Sequence, residues 1–217
     1  MGVDTINHPP SSNTGYIYLS SLGCARNLVD SEIMLGALSD QGFEVTDDPS
    51  KAGVIIVNTC GFIESAAQES IDEILALAEY KKSGVCRRMI VTGCLPERYR
   101  ESIADSLPEV DMFLGTGAYH RITEALSLPA PENRCMLPSP DSLPLQNCGT
   151  KRTLTTASFA YLKVSEGCDR HCTYCIIPEL RGKLRSRTPE DAVMEARGLI
   201  SEGIREIVII GQDTGAY

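Results

Sequence analysis

The feature that most constrains the fold is a fully apolar strand signal in the first half of the chain. Residues 54–57 read Val-Ile-Ile-Val, and such β-branched runs are typical of strands that are covered on both faces of a parallel sheet. Strand and helix signals alternate around this run, from Gly15 to about Leu128. Repeated strand–helix units predict an α/β fold in which a parallel-sheet domain carries helices on both faces.

The clearest helix signal in this first unit lies between residues 64 and 82. Apolar residues recur there at i, i+3, i+4 and i+7 from Ile71, and Gly84 ends the pattern. The predicted elements alternate along the chain as strands over 16–19, 52–58, 88–92 and 110–114 and as helices over 27–40, 64–82, 101–107 and 120–126.

A second unit begins after residues 129–154, which are rich in proline, show no periodicity and are interpreted as a linker. A strand is predicted over 159–164 and another over 207–210, joined by a helix that Thr188 caps and that has Pro189 at its first position. This helix is expected to present one apolar face to the sheet, formed by Val193, Ala196 and Ile200.

One β-α-β unit can neither close a barrel nor cover its own sheet; the family resemblance given below implies that it is the start of a partial TIM-like barrel. The predicted organisation is therefore a disordered tail, a first domain, a linker and an incomplete second domain, over 1–14, 15–128, 129–154 and 155–217.

Composition narrows the classes of protein. The formal net charge of −9 argues against a broad nucleic-acid surface and suits a basic protein partner better. The first fifteen residues lack the apolar segment of a signal peptide, and no apolar run is long enough to span a bilayer. We therefore expect a cytoplasmic protein without membrane contact, in which clustered cysteines bind metal rather than form disulfides.

Three of the nine cysteines form a C-x3-C-x2-C loop, at Cys168, Cys172 and Cys175. Three thiolates can ligate three irons of a cubane iron–sulfur cluster and leave the fourth iron open to a small chelating molecule. The alternative is a structural zinc knuckle, which needs four ligands. His171 is adjacent to Cys172 and is poorly placed to be the fourth, so a cluster is favoured.

Three further cysteines, Cys24, Cys60 and Cys94, each follow a predicted strand and each have a glycine beside them. The carboxyl ends of parallel strands share one edge of a sheet, and glycine permits a sharp turn beside a bulky ligand. Ordinary buried thiols are the alternative, but the repeated placement favours a second cluster. The other cysteines lack this placement and are expected not to bind metal, although the last two could form a redox-active pair: Cys86, Cys135 and Cys148.

Both cysteine sets resemble known family motifs. The loop over 165–175, with the aromatic Tyr174 before its last cysteine, resembles the radical S-adenosylmethionine (radical SAM) signature. The segments at 21–32, 58–65 and 211–214 resemble radical SAM methylthiotransferases. The resemblance runs from about residue 16 to the end, and it is greater to the branch that modifies a small-subunit ribosomal protein than to the branch that modifies tRNA.

This resemblance implies two 4Fe-4S clusters and S-adenosylmethionine as cofactors. The Cys168/Cys172/Cys175 cluster would cleave S-adenosylmethionine to a 5′-deoxyadenosyl radical, with Tyr174 near the adenine. A second S-adenosylmethionine would methylate sulfur held at the other cluster, and the methylthio group would join the β-carbon of an aspartate in the ribosomal protein. A flavodoxin or ferredoxin-like protein would donate electrons. No catalytic side chain is assigned, because the cofactors carry the chemistry.

The resemblance also covers a stretch after the cysteine loop, which includes Arg181, Gly182, Ser186 and Arg187. The two arginines are interpreted as cofactor or substrate contacts, with plain surface charge as the alternative. Gln212 and Asp213 end a barrel strand, where functional residues gather, and Gln212 is assigned to cofactor binding.

The family continues well past residue 217, with the rest of the barrel and a TRAM domain. The chain is therefore expected to bind its clusters but not to turn over. Two other interpretations remain open. One is a tRNA methylthiotransferase, and the other is a cluster-binding or docking module without catalytic activity.

Overall fold

The computed structural model describes residues 15–128, 134–145 and 151–217 and confirms the α/β class. Its larger unit is a six-stranded sheet in which every strand pair is parallel. The predicted tail, residues 1–14, lies outside the described residues. The strands, in the order in which they lie across the sheet, are β2 (Glu44–Val45), β1 (Tyr16–Ser21), β3 (Val54–Thr59), β4 (Arg88–Gly93), β5 (Met112–Leu114) and β6 (Cys135–Met136).

The sheet is covered on both faces, because alternate residues of β3 enter two different apolar clusters. Ile56 packs in one cluster with residues of the first helix and the fifth, whereas Ile55 and Val57 pack in the other with residues of the second helix. All six residues of β3 are buried, which explains its continuous apolar run. The helices of this unit are α1 (Ala25–Asp40), α2 (Glu64–Lys82), α3 (Cys94–Tyr99), α4 (Ser102–Ser106) and α5 (Ile122–Ser127).

Three strands or α-helices of this unit had no signal in the sequence: β2, α3 and β6. Helix α3 begins at Cys94 itself, directly after β4. The strand β6 lies inside the segment interpreted as a linker, where it pairs with β5, and the N–H of Phe113 donates to the carbonyl of Arg134 at 2.7 Å. A strand of two residues is too short to show periodicity, so the interpretation of 129–154 as a connector without structure was wrong for this part.

The second unit contains the predicted β-α-β arrangement. Its parallel strands are hydrogen-bonded to each other, and the Thr188 hydroxyl caps the connecting helix by accepting from the N–H of Asp191 at 3.3 Å. The cysteine loop lies between a short antiparallel strand pair. The elements are β7 (Phe159–Lys163), β8 (Ser165–Glu166), α6 (Ile177–Arg181), β9 (Arg185–Ser186), α7 (Pro189–Ser201) and β10 (Glu206–Ile210).

The apolar face predicted for α7 is wrong at two of its three positions. Val193 and Ile200 are 50% and 59% exposed, while Ala192 and Leu199 are buried against the strands. The cause is that β7 and β10 form a sheet of only two strands among the described residues, so one side of α7 has nothing to pack against. No helix in the described part of the chain is long and apolar enough to cross a membrane.

The two units pack together through α1. The N–H of Thr153 donates to the carbonyl of Glu32 at 3.0 Å, and the carboxylate of Glu32 pairs with Arg152 at 2.5 Å. Gly36 faces the same segment so closely that an added Cβ would lie 2.0 Å from the carbonyl oxygen of Lys151. Close backbone approach, rather than flexibility, therefore explains a glycine in the middle of this helix.

This contact predicts an unusual outcome for Gly36→Ala. Alanine favours helices by about 1 kcal/mol over glycine, but overpacking costs about 1–3 kcal/mol, and the backbone of Lys151 cannot rotate away. We expect the free energy of unfolding, measured by urea denaturation, to fall. The matched control is Gly198→Ala in α7, where an added Cβ meets nothing within 4 Å, and stability should hold or rise. An equal change in the free energy of unfolding in the two variants would contradict the close contact between Gly36 and Lys151.

Candidate metal and cofactor site

All six cysteines predicted to bind clusters line one cavity. Its volume is about 680 Å³, within the usual range of ligand sites. It lies between the carboxyl edge of the six-stranded sheet and the cysteine loop of the second unit. The cysteines that line it are Cys24, Cys60, Cys94, Cys168, Cys172 and Cys175.

The first three cysteines meet because β1, β3 and β4 are adjacent and parallel. Their strand ends touch. A Cβ added to Gly23, whose φ is +91°, would lie 2.8 Å from the Cβ of Cys60, and one added to Gly61 would lie 3.0 Å from the carbonyl carbon of Cys94. Space therefore requires the glycines beside the cysteines, and at Gly23 and Gly93 a positive φ requires them as well.

Two buried asparagines hold these strand ends in position. The amide nitrogen of Asn58 donates to the carbonyl of Asn27 at 2.8 Å. The amide nitrogen of Asn27 donates in turn to the carbonyls of Leu22 at 3.0 Å and Thr59 at 2.8 Å. Their positions in the cysteine motifs are visible in the sequence, but their role as cross-links between distant loops is not.

The second set of cysteines lies on the loop between β8 and α6. The N–H of Cys168 donates to the carbonyl of Gly182 at 3.0 Å, and the N–H of Cys175 donates to the carbonyl of Cys172 at 3.0 Å, which closes a turn. Cys172 is exposed, and the other two are half-buried. The loop thus presents its thiols towards the cavity while one edge remains open to solvent.

The donor sets fit iron–sulfur clusters better than a single metal ion. Among the described residues, no group of three or more His, Cys, Asp or Glu side chains converges closely enough to hold one ion. Structural zinc requires four ligands around one centre, whereas a cubane distributes its thiolates over separate irons. Two sets of three soft thiolates on one cavity match that second pattern.

Arg181 is the central charge of the site. It is 2% exposed, and its Nη1 pairs with Asp30 at 2.7 Å and with Glu166 at 3.5 Å. Its Nη2 donates to the Asn27 side chain and to the Sγ of Cys94 at 3.8 Å. Arg181 therefore reaches from the second unit to a predicted cluster ligand of the first, and the alternative of plain surface charge is wrong for it.

Lys163 completes a buried group of two cations and two anions. Its Nζ lies 2.6 Å from a carboxylate oxygen of Asp30 and 2.9 Å from one of Glu166. Burial by itself would raise the pKa of Glu166, but Lys163 and Arg181 lower it to about 2. Burial opposes the charge on Lys163, yet Asp30 and Glu166 raise its pKa. We call these four residues the charge quartet: Asp30, Lys163, Glu166 and Arg181.

The remaining predicted residues lie in different environments. Gln212 lines the cavity, and its Nε2 donates to Glu166 at 2.7 Å while its Oε1 is buried without a donor among the described residues. Asp213 also lines the cavity and pairs with Arg170 at 2.6 Å. Tyr174 is 86% exposed and is not part of the cavity wall.

Arg187 is buried but does not line the cavity. It pairs with Asp191 at 2.5 Å and with Glu195, so it is neither a surface charge nor placed to contact a ligand there. Sequence reasoning also missed the rest of the wall. Phe62 and Ile63 form part of it, and Arg26 donates to the carbonyl of Gly211 at 3.1 Å.

Comparison with known families agrees with this architecture. The family model described as "Uncharacterized protein family UPF0004" matches residues 16–115, and that of the "Radical SAM superfamily" matches residues 162–217. Two solved structures of the radical S-adenosylmethionine methyltransferase TsrM from Kitasatospora setae are similar, with TM-scores of 0.57 and 0.53. They are 13% and 14% identical and cover 93% and 92% of this chain and 49% and 48% of theirs, so they support the fold alone.

The curated relatives are more specific. "Ribosomal protein uS12 methylthiotransferase RimO" of Desulfosudis oleivorans is 55% identical over 93% of this chain and 46% of the relative. Proteins of the same name from Anaeromyxobacter sp. (strain K) and Clostridioides difficile are 48% and 50% identical, again over 93% of this chain. The chain spans about half the length of these relatives. Over nearly all of its length the chain is similar to radical SAM methylthiotransferases.

The charge quartet predicts a large loss of stability for Asp30→Asn. Removing one member of a buried ion pair typically costs about 3–5 kcal/mol, because Lys163 and Arg181 would then share the single charge of Glu166. The measurement is urea denaturation at neutral pH. Asp40→Asn, also on α1 but in an exposed pair with Lys151 at 3.3 Å, is the matched control and should leave stability unchanged. A similarly small change in stability for both variants would show that the quartet is not buried.

Proposed function

We propose that this chain is the amino-terminal part of an enzyme that adds a methylthio group to the β-carbon of an aspartate in ribosomal protein uS12. The observation that carries the proposal is the convergence of two separate sets of three thiols on one cavity. The names of the relatives supply the substrate protein. The reaction would take place in the cytoplasm, where ribosomes are found.

The thiols of Cys168, Cys172 and Cys175 would hold one 4Fe-4S cluster, and those of Cys24, Cys60 and Cys94 a second. When bound, the clusters and S-adenosylmethionine supply the radical that removes a hydrogen atom and the sulfur that replaces it. Three protein ligands for each cluster leave one iron without a protein ligand. The two sets face the same cavity, so a substrate carbon between them would be reached from both sides.

Other side chains of the protein would contact S-adenosylmethionine or shield the site from water. Phe62 and Ile63 are partly exposed and give the cavity wall an apolar part, which would help to shield reactive species from water once a substrate covers it. The buried Oε1 of Gln212 is an acceptor without a donor among the described residues, and it is suited to the amino group of S-adenosylmethionine. Tyr174 is exposed and would be free to contact the adenine.

The exposed position of Cys172 gives an electron donor access to the loop. A flavodoxin or ferredoxin-like protein would approach on this side. The chain spans about half the length of its curated relatives, so a large part of the wall around S-adenosylmethionine would come from the rest of the enzyme. On its own we expect the chain to bind both clusters without forming product.

The cluster assignment predicts that Cys60→Ala lowers the iron content after anaerobic reconstitution with iron and sulfide. Loss of one of three ligands should empty the first site and leave the second, so about half of the iron should remain. Cys86→Ala is the matched control, because Cys86 is buried elsewhere and hydrogen-bonded to the carbonyl of Arg88. Equal iron content in the two variants would overturn the assignment of Cys60 to the first cluster site.

The substrate assignment is tested in the source organism by deleting the gene that encodes the whole enzyme. Mass spectrometry of uS12 should then show loss of the methylthio group from an aspartate, while tRNA modification stays as in the parent strain. Re-introducing the gene should restore the group, and re-introducing it with Cys175→Ala should not. Unchanged uS12 together with loss of a methylthio group from tRNA would reject the proposal in favour of a tRNA-modifying enzyme.

A further inference from the structure

We propose that Arg181 sets the reduction potential of the cluster held by Cys24, Cys60 and Cys94, through its hydrogen bond to the thiolate of Cys94. This inference rests on the proposed function only in assuming that a cluster binds there. It assigns Arg181 a role as a positioning residue between the two units. Direct contact with S-adenosylmethionine is not part of that role.

The contacts of Arg181 support this role. Its Nη2 lies 3.8 Å from the Sγ of Cys94, and it is the only charged side chain of the described residues with a hydrogen bond to any of the three thiols of the first set. Its Nη1 donates to Asp30 and Glu166, and its Nη2 also donates to Asn27. Because these partners already surround it, Arg181 has a fixed orientation towards the sulfur.

Burial makes the contact electrostatically important. Both Arg181 and Cys94 are buried, and charge interactions are far less screened in such an environment than in water. Reduction adds one negative charge to a cluster. A cation that donates a hydrogen bond to a ligand sulfur stabilises the reduced form more than the oxidised form and raises the potential.

The charge quartet determines how strongly Arg181 raises the reduction potential of the cluster. Asp30 and Glu166 partly compensate the charge of Arg181, and both are held in place by Lys163. Glu166 is also two residues before Cys168 and accepts from Gln212. The same group of charges therefore contacts a ligand of the first cluster and the base of the loop that holds the second.

Arg187 provides a matched control for the role of the thiol contact. Like Arg181, it is buried and paired with two carboxylates, those of Asp191 and Glu195. Unlike Arg181, it does not line the cysteine cavity. Arg→Lys at either position keeps the charge and disturbs buried ion pairs, but only at position 181 does it also remove a hydrogen bond to a thiol of the first set.

The experiment uses the chain with Cys168, Cys172 and Cys175 replaced by alanine, so that only the first cluster is reconstituted. Its potential is titrated with dithionite and followed by electron paramagnetic resonance. We expect Arg181→Lys to shift the potential to a more negative value, with about a tenfold change in the one-electron reduction equilibrium, which is about 59 mV. Arg187→Lys should leave it unchanged, and circular dichroism verifies that both variants are folded.

A second measurement does not depend on a variant that could fail to fold. The same three-alanine chain is labelled with ¹⁵N in the guanidino groups of arginine, and pulsed electron paramagnetic resonance of the reduced cluster should detect ¹⁵N coupling. Absence of coupling, or an equal potential in Arg181→Lys and the parent, would overturn this inference alone. Failure to assemble any cluster at Cys24, Cys60 and Cys94 would instead overturn the proposed function.

Discussion

The arrangement of the site depends on a buried group of four charges that joins the two units. Asp30 comes from the first unit, on α1, and Lys163, Glu166 and Arg181 come from the second. A buried group of this kind contributes little net stability compared with apolar packing, but each member is costly to leave unpaired. Its main effect is therefore to specify the relative orientation of the two units, since only one orientation pairs every charge. That orientation is also the one in which both sets of cysteines line the same cavity.

The larger part of the fold could be predicted from the sequence because its signals are local. The buried run at 54–57 and the helical periodicity from Ile71 correspond to β3 and α2, and the cap at Thr188 lies where α7 begins. The common edge for Cys24 and its two counterparts followed from a rule about parallel strands, and the structure brings them to one cavity. Long elements with strong periodicity leave little freedom of interpretation.

What could not be predicted depends on contacts between residues far apart in the chain. Strand β6 has two residues and exists because the edge of β5 accepts it. The exposed side of α7 follows from the strands that accompany it, and its own sequence does not reveal their number. From the sequence, Arg181 was a candidate for ligand binding or for surface charge. Nothing near it in the sequence indicates its contacts with Asp30 and Asn27, which are more than 150 residues away. Burial of a charge is a property of the assembled units.

The same long-range contacts show why the cavity belongs to both units together. The strand ends of the first unit are fixed by the asparagine cross-links and by glycines that have no space for a side chain, so the positions of its thiols are rigid. The loop of the second unit has an exposed cysteine and fewer constraints. Arg181 follows that loop directly, on α6, and is held by α1 of the first unit. A movement of the loop relative to the sheet would have to break buried ion pairs, and this cost keeps the second set of thiols aligned with the first.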